Sequence, residues 1–188
     1  MEKEPIIIKG ISYDEDFILQ ESQSDSQAFK PIYEKYFKKI FLFILHRVGD
    51  KELTADITQQ VFLKALMGLG KFQFRGLPFS AWLYRISINE CNDYFRKTKR
   101  ARQVVIDDEA THSLFEELNH GNTIEELEKQ LPDILQKLNT NELQIIQLRF
   151  FEARSFKEVG EIMEITETYA KVKTYRILDK IKKQFLKL

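Results

Sequence analysis

The chain has 188 residues, 43% of them apolar, enough for one medium domain or two small ones with cores of their own. Its 7 glycines and 4 prolines are too few for the turn punctuation of an all-β fold, and its single cysteine, Cys91, excludes an internal disulfide framework or a cysteine zinc cage. Twenty-nine basic residues balance 29 acidic ones, so general nucleic-acid binding is excluded unless the charges are segregated along the chain.

They are segregated. Arg96, Lys97, Lys99, Arg100 and Arg102 outweigh Asp93, then Gln103 to Glu128 has no Lys or Arg and eight acidic residues, and from Glu167 seven basic residues face Glu167 and Asp179. Three scattered histidines, His46, His112 and His120, make no metal motif, so neither a metal nor another cofactor is expected. No run of about 18 apolar residues occurs, and MEKEPIIIKG has three isoleucines rather than a signal-peptide core. The reading is a cytoplasmic protein without membrane insertion.

Taken in chain order, Phe29, Ile32, Tyr33, Tyr36, Phe37, Ile40 and Ile44 form the stripe of an amphipathic helix from Phe29 to Val48, with Asp25-Ser26 as a cap signal and Pro31 blurring the start. Gly49-Asp50 closes it. A second helix, Lys51 to Gly68, buries Ile57, Val61, Phe62, Ala65 and Leu66. Asp56, Gln59, Gln60, Leu63 and Met67 fall in one sector away from that core, a mixture of acceptors, amides and aliphatics that suits either a protein-binding face or packing under a neighbouring helix.

In the loop from Gly70 to Gly76, Lys71, Phe72, Phe74 and Arg75 interleave rings with cations, as single-stranded bases require. The helix from Phe79 to Lys99 has two apolar stripes, Phe79, Trp82, Leu83, Ile86 and Tyr84, Ile88, Cys91, Phe95. Its remaining sector holds Arg85, Asn89, Asn92, Arg96 and Arg100, with Lys97 beside them, groups able to bind base edges and phosphates.

Beyond the acidic stretch, a helix from Ile124 to Leu138 is interrupted near Pro132, and Asn139-Thr-Asn-Glu142 caps a helix reaching Phe151. Ser155-Phe-Lys-Glu158 caps the next, Glu164-Ile165-Thr166 makes the turn, and a basic helix starts at Glu167, a helix-turn-helix pattern. Ala170, Thr174, Ile177, Leu178, Ile181 and Phe185 share its core sector. Thr168, Lys171, Val172, Tyr175, Arg176 and Lys183 face outward, and Lys173, Lys180 and Lys183 are expected to position phosphates.

These segments together resemble the extracytoplasmic-function group of bacterial sigma factors, of the sigma-70 type. Asp25-Ser-Gln-Ala-Phe29 through Tyr36 is similar to the opening of sigma region 2, Asp56-Ile-Thr-Gln-Gln-Val-Phe62 to its core-binding helix, and Pro78 to Ile86 with Asn89, Asp93 and Arg96 to its promoter-melting and minus-ten segment. Glu158 to Met163, Ile165-Thr166 and Lys171 to Arg176 are similar to the region 4 helix-turn-helix. Glu164 stands where the family usually has Gly, and Gly160 where a small Ala is common.

The resemblance implies an all-α fold of two small helical domains: 1–24 an extension and first-helix lead-in, 25–102 region 2, 103–123 an acidic flexible linker, and 124–188 region 4. It implies that Asp56, Gln59, Gln60 and Leu63 bind the clamp helices of the RNA polymerase largest subunit, with the flap of the second-largest subunit a further contact. The minus-ten element falls to Lys71, Phe72, Phe74, Arg75, Arg85, Asn89, Asn92, Arg96, Lys97 and Arg100. The minus-35 element falls to Thr168, Lys171, Val172, Lys173, Tyr175 and Arg176. Promoter DNA and an anti-sigma factor are the other implied partners, the catalysis belongs to polymerase, and a stand-alone homodimeric helix-turn-helix regulator is the alternative.

Overall fold

The computed structural model describes residues 6–8, 11–72, 78–98, 108–118 and 124–185. The chain divides into two compact units, residues 1–45 with 50–99, and residues 46–49 with 100–188. The elements among the described residues are helical apart from one hairpin, in which β1 (Ile6–Ile8) pairs antiparallel with β2 (Ile11–Tyr13). No helix among them is long and apolar enough to cross a membrane.

In the first unit, α1 (Glu15–Ser24) begins where the Asp14 carboxylate accepts the Asp16 N–H at 3.1 Å. Asp25 then caps a 3₁₀ turn, Ser26–Phe29, which runs into α2 (Lys30–Val48). Pro31 does not delay that helix, because its missing N–H falls in the first turn, where no intrahelical acceptor awaits it. Gly49, at φ 70°, reverses the chain, and Asp50 Oδ1 accepts the Leu53 N–H at 2.8 Å to start α3 (Lys51–Gly68).

A 3₁₀ turn, Leu69–Lys71, follows α3, and α4 (Phe79–Thr98) packs against it. The core is aromatic. Phe29 meets Phe62 and Phe79 at ring separations of 6.5 and 6.3 Å, and Phe43 meets Tyr84 edge-on at 4.9 Å. Buried hydroxyls of Ser22, Thr58 and Ser87 each donate to the carbonyl four residues back, which satisfies them inside an apolar core. Leu66, expected in that core, is only half-buried, and Leu69 is buried at the end of α3.

The second unit holds α5 (Asp108–Leu118), α6 (Ile124–Gln136), α7 (Thr140–Ile146), a π-helical turn Gln147–Phe151, α8 (Phe156–Met163) and α9 (Glu167–Phe185). The acidic stretch expected as a flexible linker is therefore helical over 108–118. Leu114, Phe115 and Leu118 are buried there, and α5 lies against α9. Nor does Pro132 interrupt α6, which runs through it, since the buried Leu131, Ile134 and Leu135 around it offset the lost backbone bond. The helix closes instead by i−3 bonds, Lys137 N–H to Ile134 O and Leu138 N–H to Leu135 O, both at 3.1 Å.

Candidate nucleic-acid interface

Two faces of the first unit match the sectors set apart by the sequence. On α3, Ile57, Val61, Phe62 and Ala65 are buried, while Asp56, Gln59 and Gln60 are exposed and Leu63 and Met67 remain 58% and 78% exposed. Leu63 also borders an apolar groove of about 540 Å³, walled by Phe29, Lys30, Tyr33, Phe62 and Leu66. Aliphatics left in water beside acceptors and amides form a surface that gains free energy when another protein covers it. Tyr33, 37% exposed, belongs to this surface, although the sequence placed it in the helix core stripe.

On α4, Phe79, Leu83, Tyr84, Ile88 and Cys91 are buried, with Asn89, Arg96 and Lys97 exposed and Arg85 and Asn92 half-buried. Asp93 places a carboxylate beside this face, with Oδ1 2.9 Å from Arg96 Nη2. The Arg96 side chain is largely in water and that of Asp93 partly so, and the pair therefore holds Arg96 only weakly. Lys64 joins α3 to α4 through Glu90 at 2.6 Å.

At the foot of the loop, Lys71 is exposed, but the Phe72 ring turns into the domain, 5.0 Å from Trp82 and 5.4 Å from Phe79. Phe74, Arg75 and Arg100 lie outside the described residues.

In the second unit, capping boxes start α7 and α8, the second of them the first helix of the helix-turn-helix. Asn139 Oδ1 accepts the Glu142 N–H at 2.9 Å while the Glu142 carboxylate accepts the Asn139 N–H at 3.0 Å, and Ser155 and Glu158 repeat the exchange at 3.2 and 2.9 Å. Burial pushes both carboxyls up, but hydrogen bonds and cations outweigh it. Lys180, Asn139 N–H and Lys173 hold Glu142 below its ordinary value of 4.5, and Ser155 and Arg154 do the same for Glu158.

The turn takes its shape from two residues. Glu164 is left-handed at φ 58° and closes α8, the conformation that makes Gly usual there. Gly160 lets the turn close, because a Cβ on it would stand 2.7 Å from the Ile165 carbonyl oxygen.

On α9, Ala170, Thr174, Ile177, Leu178 and Ile181 are buried and Phe185 is half-buried. Thr168, Lys171, Val172, Tyr175 and Arg176 are exposed together, and Lys173 is half-buried. Lys180, expected to hold phosphate, instead donates to Glu142 Oε2 at 2.7 Å. Arg176, Lys180 and Lys183 still line a shallow cleft of about 410 Å³. Tyr169, 50% exposed, is a residue the sequence reading left out. Its spacing of three from Val172 and seven from Arg176 was the available signal.

Comparison with known proteins assigns both units. Residues 32–101 match Sigma-70 region 2 and residues 134–183 match Sigma-70, region 4. The ECF RNA polymerase sigma factor BldN of Streptomyces coelicolor is 29% identical over 81% of this chain, which spans only 58% of BldN. ECF RNA polymerase sigma factor SigW of Bacillus subtilis is 28% identical, over 89% of this chain and 94% of its own length.

Among solved structures, CnrH in complex with the cytosolic domain of CnrY is similar with a TM-score of 0.61 at 18% identity, over 89% of this chain and 94% of that one. The sigma factor RpoE of Bartonella quintana, bound to the anti-sigma factor NepR, gives 0.60 at 17%, over 85% and 97%. With a region 2 unit, a region 4 helix-turn-helix and relatives of one kind along most of its length, this chain belongs to the extracytoplasmic-function sigma factors of the sigma-70 type.

Proposed function

We propose that the chain is a promoter-specificity subunit that brings core RNA polymerase to its own promoters and promotes their melting, with no active site of its own. The observation that carries this reading is the exposed α3 face, where Leu63 and Met67 stand in water beside Asp56, Gln59 and Gln60. A stand-alone regulator that binds duplex DNA through α9 leaves the amide and cation face of α4, on the other unit, without a role. On this reading the face docks on the clamp helices of the largest polymerase subunit, and region 4 meets the flap of the second-largest.

Arg85, Asn89, Asn92, Arg96, Lys97 and Arg100 then engage the minus-ten element with Lys71, Phe74 and Arg75, while Phe72 anchors the foot of the loop. Thr168, Lys171, Val172, Lys173, Tyr175 and Arg176, joined by Tyr169, take the minus-35 element. The protein works in the cytoplasm, where polymerase and promoters are. An anti-sigma protein is a further partner, as NepR is for RpoE.

The test is abortive transcription by purified bacterial core polymerase, with and without this protein, on pooled promoters from its own genome. Transcripts that depend on the protein are expected, with start sites that reveal both elements. Absence of transcripts, together with polymerase-independent binding to a symmetric duplex site, would replace this reading by the homodimeric regulator.

A further inference from the structure

The segment ahead of the region 2 match contains a helix, α1, that is fixed to its unit at three points. At its first turn the buried Glu15 carboxylate accepts from Lys35 Nζ and from the Tyr36 hydroxyl, both at 2.7 Å. In its middle Ile18 and Leu19 are buried. At its last turn Gln23 Nε2 donates to the Leu69 carbonyl oxygen at 3.1 Å, 46 residues further along the chain.

That oxygen is a junction. It also accepts the Phe72 N–H at 3.0 Å, the bond that closes the Leu69–Lys71 turn. The last carbonyls of a helix have no partner within it, and a carbonyl can accept two hydrogen bonds. With the Phe72 N–H alone, this carbonyl would be hydrogen-bonded only within the turn, whose other holds are the buried Leu69 side chain and the Phe72 ring against Trp82. Gln23 ties it to a second helix, which a buried ionic contact and two core side chains hold in place. Exposed Lys71 lies within the turn, and Phe72, packed on Trp82, ends it.

We propose that Gln23 is a positioning residue for promoter opening: its amide fixes the Leu69 carbonyl and so sets how the turn presents Lys71 to the separating strands. The proposal rests on the reading of the chain as a sigma subunit. Gln23 touches no DNA; it acts through the Leu69 carbonyl.

The experiment uses reconstituted holoenzyme and measures the rate of open-complex formation on a duplex promoter and on the same promoter with a mismatched, already open bubble. Gln23→Ala is expected to slow opening of the duplex about three- to tenfold, the range set by loss of one such bond. Closed-complex affinity, polymerase affinity and the bubble template should be unaffected. Gln23→Lys, which keeps a donor, should restore the rate, and Gln23→Glu, which turns an acceptor toward the carbonyl, should be slower than the alanine variant.

A Gln23→Ala holoenzyme that opens duplex at the wild-type rate, or is slowed equally on the bubble, overturns the proposal and leaves the sigma reading intact. Failure of the wild-type protein to open any promoter overturns the sigma reading and the proposal with it.

Discussion

Glu142 and Lys180 share a proton-sensitive contact: the Glu142 carboxylate sits 2.7 Å from Lys180 Nζ on α9 and also accepts the Asn139 N–H at the start of α7. One charge therefore caps one helix and ties down another. Glu158 caps α8 through the Ser155 N–H and pairs with Arg154, the residue just before that cap.

Both carboxyls titrate below their ordinary value of 4.5, so the folded state favours the ionised form more than the unfolded state does. Their contribution is fully present above that value and is lost as pH falls through the lowered folded value. Thermal unfolding from pH 7 to pH 3 should show a falling midpoint below pH 4.5. Glu142→Gln should lower stability at pH 7 and flatten that fall; an unchanged slope would remove Glu142 from the account.

Gly160→Ala should destabilise the second unit by about 1–3 kcal/mol, the usual cost of forcing a methyl into filled space. The nearest atom to the new methyl is a backbone oxygen at 2.7 Å, which cannot swing aside as a side chain would. Denaturant unfolding would show it, and a change below a few tenths of a kcal/mol would mean that the turn adapts.

Asp56→Ala combined with Gln60→Ala should weaken association with core polymerase while leaving the thermal midpoint within error, because both side chains are exposed. Adding Leu63→Ser should weaken it further. Fluorescence titration of labelled protein with core polymerase checks this, and undiminished affinity would separate the α3 face from polymerase docking.

Arg176→Ala should cost about 1–3 kcal/mol at one upstream promoter position if the guanidinium reads a base edge. Equal loss across all sequences, with a shallower salt dependence, would make it a phosphate contact. Transcription from a library randomised over the upstream element distinguishes the two.

Much of this was legible in the sequence where one helix decides its own faces. The separation of Ile57, Val61 and Phe62 from Asp56, Gln60 and Leu63 follows from a 3.6-residue period, and the two capping boxes sit within four residues each. What escaped depended on partners distant in sequence or on weak local pattern. Lys180 finds Glu142 across 38 residues, and nothing in α9 alone distinguishes it from its solvated neighbours. Strands of three residues are too short to show alternation, so Ile6–Ile8 gave no sign of a hairpin. In α5 the acidic residues Asp108, Glu109, Glu116 and Glu117 mask the pattern, yet Leu114, Phe115 and Leu118 at i, i+1 and i+4 suffice to bury one side.

The exposed side chains of Leu63 and Met67 also bear on how the purified protein behaves. The chain has zero formal charge and a pI near 6.9, so at neutral pH little long-range repulsion keeps molecules apart. A sticky aliphatic patch on an electrically balanced particle favours reversible clustering as concentration rises. Light scattering should therefore show an attractive virial coefficient near pH 7 that turns repulsive a unit or two away, and coexpression with a protein that covers α3 should raise the yield of dispersed material.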